Sequence, residues 1–276
     1  MEFWQLILLA IVQGITEFLP VSSSGHIVAL ATVLDVNALA LDELNIALHL
    51  GTLLAICFVY REQIKALCGV DRRLVLPIIV GSIPAGIVGG VLVVSGLNET
   101  LQRVDIAGAM LIITGLFLWF GSRRESDPDL ETCATETQSK SDVSIAKAVI
   151  IGAFQALAIL PGLSRSGVTI VVAQRLGVEA KLATRFSFFL AIPIISGASL
   201  ITIWKEIRGS DGIVKELAPQ QTPNLYLLLV GVVVSGLVGL FTLRWLIRVI
   251  ERGKFHRFAF WCIPLGILLL IYSLYG

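Results

Sequence analysis

Six apolar runs, at about 44–60, 74–95, 104–121, 183–203, 225–247 and 257–275, dominate this chain. Each approaches the roughly 20 residues that a helix needs to cross a ~30 Å hydrocarbon core. Inside lipid, only helices and closed barrels satisfy their own backbone polar groups. Runs of this length therefore predict an all-α polytopic membrane protein. Composition agrees: 56% of the 276 residues are hydrophobic and 15% charged, where a soluble domain would carry about a quarter charged. The net charge of +1 says little, because in such proteins the distribution of charge matters more than the sum. A bilayer, and no nucleic acid, is the expected environment. The opening MEFWQLILLA lacks the basic region and small-residue cleavage site of a signal peptide, so it is expected to be retained. Cys57, Cys68, Cys133 and Cys262 are scattered without metal-type spacing and read as free thiols.

Four shorter apolar runs, 3–12, 26–34, 145–160 and 168–177, cannot span. Ten helical residues cover ~15 Å, about half of the core. The short runs come in pairs, joined by SSSG at 22–25 and SRSG at 164–167. Such pairs read as re-entrant hairpins, 3–34 and 145–177, tolerated where protein or a wet cavity shields their backbone. The order is then a hairpin and three spans, twice over. An offset of 142 residues aligns the halves without gaps, pairing Gln13 with Gln155, Ser22 with Ser164, Ser24 with Ser166 and Gly25 with Gly167. Residues 1–121 form a first repeat, 122–144 a polar linker and 145–276 a second repeat. A hairpin returns to its own side and three spans cross an odd number of times, so the second repeat is expected to be inverted relative to the first.

Positive residues give an independent check. The loops 61–73, 122–147, 175–185 and 244–257 hold 16 of the 21 Lys and Arg; Arg103, Lys205, Arg208 and Lys215 lie on the other side, and Arg165 remains in its hairpin. The positive-inside rule makes the rich side cytoplasmic. Both termini are then outside, and hairpin 3–34 dips in from outside.

This places Arg165 near the midplane, where an arginine costs at least about 2.5–3.5 kcal/mol. Something must compensate, and the opposite hairpin offers QGITEFLPVSSSGH (13–26). One reading is a buried Glu17–Arg165 ion pair that locks the hairpins together, with serines capping helices. The functional reading starts from helix ends. Free N–H groups and the positive end of the dipole gather where each second half-helix begins. Ser22, Ser24, Ser164 and Ser166 suit such ends, and Gly25 and Gly167 let backbone approach a ligand. Two such ends with a guanidinium suit phosphate or pyrophosphate. Thr169, four residues after Arg165, falls on the same face as an extra donor. Gln13 and Glu17 also share a face, and their oxygens suit Mg²⁺ or Ca²⁺ bridging a diphosphate. Glu17 could instead orient His26, which lies three residues from Ser23 and within helical reach of it. Histidine could act as base for a serine nucleophile, as acid for the leaving group, or as nucleophile. His49 lies inside a span and is a candidate to line the cavity. Arg185 and Glu43 read as structural charges near the membrane surface, and His256 as interfacial.

QGITEFLPVSSSGH, LHLGTLLA, LPGLSRSGVT and RFSFFLAIPIISGASL resemble the signature stretches of the bacterial undecaprenyl pyrophosphate phosphatase family of the bacitracin-resistance type. The resemblance runs from about residue 5 to the C-terminus. It implies a membrane hydrolase that removes the terminal phosphate of undecaprenyl diphosphate at the outer face of the cytoplasmic membrane, recycling the lipid carrier for peptidoglycan synthesis. It also implies a divalent cation and a homodimer. The family's acidic motif falls on Gln13 and Glu17, its Ser/His motif on Ser22, Ser23 and His26, and its arginine motif on Ser164, Arg165 and Thr169. Position 13 is often Glu in the family and is Gln here. The competing class is a transporter or flippase, since inverted repeats with midplane hairpins are also a transporter architecture; a nucleophile beside the anion site separates the two.

The Lys/Arg asymmetry makes topology testable. In a cysteine-free background, Ser210→Cys should label from outside and Gly253→Cys from inside. Labelling of both from one side contradicts the inverted arrangement.

Overall fold

A computed structural model describes residues 2–36, 38–95, 101, 103–121, 142–209 and 225–275, with side chains omitted at 38–43, 93–94 and 202–209. Eleven α-helices and two short 3-10 turns, without a strand, make up these described residues. The first is α1 (Phe3–Thr16), followed by α2 (Ser23–Val33), α3 (Ala38–Val59), the short α4 (Arg61–Ala66), α5 (Val75–Ser95) and α6 (Val104–Gly121). Then come α7 (Ile145–Leu157), α8 (Arg165–Arg175), α9 (Ala180–Gly209), α10 (Leu225–Glu251) and α11 (Ala259–Tyr275).

Among the described residues, five segments are long and apolar enough to cross a membrane: Arg72–Leu92, Val104–Gly121, Ala180–Ile201, Leu225–Glu251 and Phe255–Tyr275. The sixth expected span, 44–60, lies in α3, which begins earlier; its part Leu44–Val59 is a shorter apolar helix. Short helices sit where short runs were expected. At ~1.5 Å per residue, the 14 residues of α1 make ~21 Å and the 11 residues of α2 and of α8 make ~16 Å.

The turns are not where the Ser/Gly stretches suggested. SSSG and SRSG do not join the half-helices. Ser22 and Ser164 are N-caps, and the residues after them already belong to the first turns of α2 and α8. The chain reverses earlier, over 17–22 and 158–164, where Pro20 and Pro161 withhold a donor and bar helix from the residue before them. Glycine three residues after each cap serine places its N–H on the serine oxygen, so these polar stretches begin helices.

The 142-residue offset reappears in the backbone. Shifted by it, α2 coincides with α8 at both ends, and the starts of α1 and α3 fall on those of α7 and α9. Packing interlaces the halves: α1 lies on α10, α7 lies on α5, α3 packs on α10, and α6 packs on α11. The buried centre is aromatic. Phe18, Phe186, Phe188 and Phe189 are fully enclosed, and Phe18 meets Phe188 edge to face with ring centroids 5.6 Å apart.

Basic loops gather at one end of the bundle. Arg185 pairs with Asp71 at 3.2 Å, Arg73 approaches Asp142 at 3.6 Å, and Arg175 donates to the carbonyls of Phe120 and Gly121. His256 lies against Trp119 there, with centroids 6.4 Å apart. All four Lys/Arg-rich loops contribute to this cluster. Arg185 thus has Asp71 as its partner; the side chain of Glu43 lies outside the described residues, as do those of Lys205, Arg208 and Lys215. Cys57, Cys68 and Cys262 are free thiols. Cys133 and linker positions 122–141 also lie outside the described residues.

Small residues set the closest crossings, as expected where helices associate in lipid by packing. A Cβ on Gly152 of α7 would stand 2.1 Å from the Gly81 carbonyl oxygen of α5, whereas one on Gly86 would meet nothing within 4 Å. Gly152→Ala should therefore lower thermal stability in detergent by about 1–3 kcal/mol, the usual cost of overpacking. Gly86→Ala, measured beside it, should leave the melting temperature in place.

Candidate active site

One carboxylate organises the polar interior. Glu17 follows the last turn of α1 as its C-cap, with its backbone N–H on the Gln13 carbonyl at 2.9 Å and its side chain almost wholly buried. Its Oε1 accepts from Arg165 Nη2 at 2.5 Å. Its Oε2 accepts from Ser23 Oγ at 2.7 Å and from Gln13 Nε2 at 3.1 Å. The His49 Nε2 lies 3.4 Å from the same oxygen. His49 is oriented from behind, since its Nδ1 donates to the Asn45 carbonyl at 2.7 Å.

Ser23 and Arg165 are the first residues of α2 and α8 and correspond under the 142 offset. Corresponding positions of the two halves thus converge on one carboxylate. The Ser22 oxygen accepts from Gly25 N at 3.3 Å and the Ser164 oxygen from Gly167 N at 3.1 Å. N–H groups of the first helical residues have no intrahelical partner in any helix, so both helix ends bring donors and a positive dipole to this region. Ser22 is held at φ 64°, a left-handed conformation that costs a non-glycine residue about 1–3 kcal/mol and collects at working sites. Its carbonyl accepts from both the backbone N–H of His26 at 3.3 Å and the His26 Nδ1 at 2.8 Å.

Side chains from elsewhere pin the two turns together. Thr114 of α6 donates to the Gly162 carbonyl at 2.9 Å and accepts from Ser164 N at 3.0 Å. Gly162 has φ +93°, and a Cβ there would stand 2.1 Å from the Ala107 carbonyl oxygen; only glycine fits. Ser166 donates across to the Leu19 carbonyl at 3.3 Å. Ser24 pairs with Ser22 at 3.2 Å, as Ser166 does with Ser164 at 3.3 Å.

Three expectations need correction. His26 and Ser23 do not bond to each other, and Glu17 does not orient His26. The Ser23 hydroxyl points to Glu17, whereas both His26 nitrogens are engaged elsewhere: Nδ1 by the Ser22 carbonyl and Nε2 by the indole N–H of Trp261 at 2.9 Å. Helical spacing brings two residues near each other but does not choose their partners. Thr169 does share a face with Arg165, but its hydroxyl donates to the Arg165 carbonyl at 2.8 Å and pairs with Ser187 Oγ at 2.5 Å. It braces the turn that carries the arginine. Arg165 Nη1 reaches only to the Ser187 carbonyl, at 3.5 Å, so this side of the guanidinium is loosely held.

The expected ion pair is thus present, and the same guanidinium keeps donors for an anion. Thr114, Ser187 and Trp261 lay outside the sequence expectations. Ser187 and His49 sit in RFSFFLAIP and LHLGTLLA, whose polar residues within apolar runs were the available signal. Nothing in the sequence singled out Thr114 or Trp261.

Gln13 and Glu17 fit an oxygen-seeking cation. Gln13 is fully buried, its Nε2 donates to Glu17, and its Oε1 has no hydrogen-bond partner. Among the described residues no group of three or more His, Cys, Asp and Glu could hold a metal. Two such oxygen donors suit Mg²⁺ or Ca²⁺, with substrate phosphates completing the coordination.

Comparison with known proteins places these features in a family. The model described as "Bacitracin resistance protein BacA" matches residues 6–268. The chain is 37% identical over 274 residues to the undecaprenyl-diphosphatase of Rhodopirellula baltica, covering 99% of each protein. It is 37% identical over 296 residues to that of Alkaliphilus metalliredigens, covering 99% of this chain and 100% of the relative. Its identity to that of Halothermothrix orenii is 31% over 274 residues, 98% of each. With Glu17, Ser23, His26 and Arg165 all inside the matched span, the chain belongs to the bacitracin resistance protein BacA family.

Proposed function

We propose that this protein is an integral membrane phosphatase that hydrolyses undecaprenyl diphosphate to undecaprenyl phosphate and phosphate. In this reading it works at the outer face of the bacterial cytoplasmic membrane, recycles the lipid carrier for peptidoglycan synthesis and confers bacitracin resistance. Near-full-length relatives named undecaprenyl-diphosphatase support the activity. One observation carries the chemistry: Ser23 and Arg165, at the N-termini of two short helices, both donate to the buried Glu17. The short paired helices and the matching boundaries at an offset of 142 residues support re-entrant hairpins in two inverted repeats. The basic cluster at one end of the bundle supports a cytoplasmic end there. Both termini then lie outside, the site opens outward, and the working unit is a homodimer.

Arg165 grips the diphosphate with the donors that Glu17 leaves, and the N-termini of α2 and α8 supply further N–H groups to its oxygens. Ser23 is the nucleophile. Its hydroxyl already points at Glu17 Oε2, so Glu17 takes the proton as Oγ forms a bond to the terminal phosphorus. The bond from that phosphorus to the bridging oxygen breaks, and undecaprenyl phosphate leaves with the electron pair. A phosphate ester has a second pKa of about 6, so this leaving group needs little help from an acid at neutral pH. Water then attacks the phosphoserine phosphorus as His26 takes its proton; the bond from phosphorus to Ser23 Oγ breaks, Ser23 recovers its proton from Glu17, phosphate leaves, and His26 passes its proton to solvent. A divalent cation held by Gln13 and Glu17 would add charge neutralisation on the phosphate oxygens.

Glu17→Gln and His26→Ala should each lower turnover by about 10²–10⁴-fold, the usual worth of a positioned acid–base group, while the protein still folds into the membrane fraction. Glu17→Gln strands Arg165 and should also lose about 3–5 kcal/mol of stability; near-normal turnover by the folded fraction would favour a purely structural ion pair. Arg165→Lys keeps charge but loses the planar fork, and should cost on the order of 10²–10³ in rate with thermal stability near normal. Phosphate release and melting in detergent, measured together, check this; a nearly normal Arg165→Lys protein would remove the phosphate clamp.

A further inference from the structure

Beyond these residues, the partner of His26 stands out. Trp261 lies near the start of α11, is 57% exposed, and donates its indole N–H to His26 Nε2 at 2.9 Å. The two rings are within 7° of parallel with centroids 6.2 Å apart. Rings joined edge to edge through one hydrogen bond adopt this arrangement, in which the N–H lies along the plane that holds the Nε2 lone pair. On the other side of the imidazole, Nδ1 meets the Ser22 carbonyl at 2.8 Å. A carbonyl can only accept and an indole can only donate. Between them they allow one form of the ring: neutral, with the proton on Nδ1 and a bare lone pair on Nε2.

The neighbours of Trp261 are fixed too. Cys262 is buried, and its Sγ reaches the Pro20 carbonyl at 3.4 Å, tying α11 to the turn between α1 and α2. Further along α11, a Cβ on Gly266 would stand 2.6 Å from the Gly108 carbonyl oxygen, so α11 seats closely on α6. This packing holds the backbone of Trp261 in register with His26, while the exposed indole keeps room to turn about its side-chain bonds.

We propose that Trp261 is a positioning residue for His26. Together with the Ser22 carbonyl it keeps the ring in the Nδ1-protonated tautomer, and by itself it sets the ring plane and reserves Nε2 as a proton acceptor. This rests on the phosphatase reading, in which Nε2 serves as base for water; the indole then yields its place to that water once the lipid diphosphate is bound. A tautomer with the proton on Nε2 would present a donor where the reaction needs an acceptor, and the ring would contribute nothing at that step.

Two substitutions separate the donor from the bulk. Trp261→Phe keeps an apolar ring and removes the N–H; Trp261→Gln removes the ring and keeps an N–H donor. The chain has three histidines, so ¹⁵N-histidine labelling of the full-length protein in nanodiscs gives a small set of ring signals, assigned with His26→Ala. In the wild type, His26 should show one protonated and one bare nitrogen, with Nδ1 protonated. In Trp261→Phe the Ser22 carbonyl still holds the Nδ1 proton, so the Nε2 signal should shift as its hydrogen bond is lost, and kcat should fall about tenfold, the worth of one hydrogen bond, with KM little changed. Trp261→Gln should keep the wild-type nitrogen pattern and most of the turnover. Unchanged nitrogen signals in Trp261→Phe overturn the proposal, as does an equal loss of turnover in both variants. The nitrogen spectrum needs no turnover, so a wild-type protein that fails to hydrolyse undecaprenyl diphosphate would defeat the phosphatase reading and leave the role of Trp261 to be judged on its own.

Discussion

The contact between Glu17 and Arg165, 2.5 Å long and 148 residues apart in the chain, is the interaction on which the rest of this architecture depends. Neither group could stay ionised alone in a medium without water. Removing one partner of a buried pair typically costs about 3–5 kcal/mol, because the other charge is stranded. The pair therefore ties two distant turns together, and it does so without saturating either group. Glu17 still takes a serine and an amide, and the guanidinium still has a side held only by a long contact to a carbonyl. A bond that locks the fold and a group that remains chemically available coexist in the same two residues.

Much of the remaining structure serves to bring the two turns into reach. Proline ends α1 and α7 early, cap serines restart the chain as α2 and α8, and the Thr114 hydroxyl holds the second turn by both its donor and its acceptor. The interlaced packing, α1 on α10 and α7 on α5, means that each turn is carried by helices from the other half of the chain. A shift in one half moves the opposite half of the site with it.

How much of this could be read in advance follows from the range of each interaction. Apolar length announced the long helices, and the paired short runs announced the helical pairs, because both depend on residues close in sequence. The starts of α2 and α8 were expected three residues late: a count of apolar residues passes over SSSG and SRSG, whereas a cap serine and the residues behind it already hold helical geometry. An arginine that hydrocarbon would not tolerate alone pointed to Glu17. The partner of His26 could not be found that way. Ser23 is three residues off, Trp261 is 235, and only the packing of α11 on α6 decides which of them the ring meets. His49 stood between these cases, flagged by its place within an apolar run but with no sign of which carboxylate it would approach.

The matched spacing of the two halves divides the charges unequally between them. At the offset of 142 residues, Ser23 stands opposite Arg165, but Glu17 stands opposite Ile159. Gln13 does find its counterpart in Gln155, a buried amide with neither its nitrogen nor its oxygen partnered. The second half carries the amide without the acid. Two copies of the first half would confront carboxylate with carboxylate and no cation between them; two copies of the second would strand an arginine in hydrocarbon. Each half is electrically incomplete, so the joined chain holds one reactive centre where perfect symmetry would imply two. Neither half could pair with a copy of itself and keep its charges balanced.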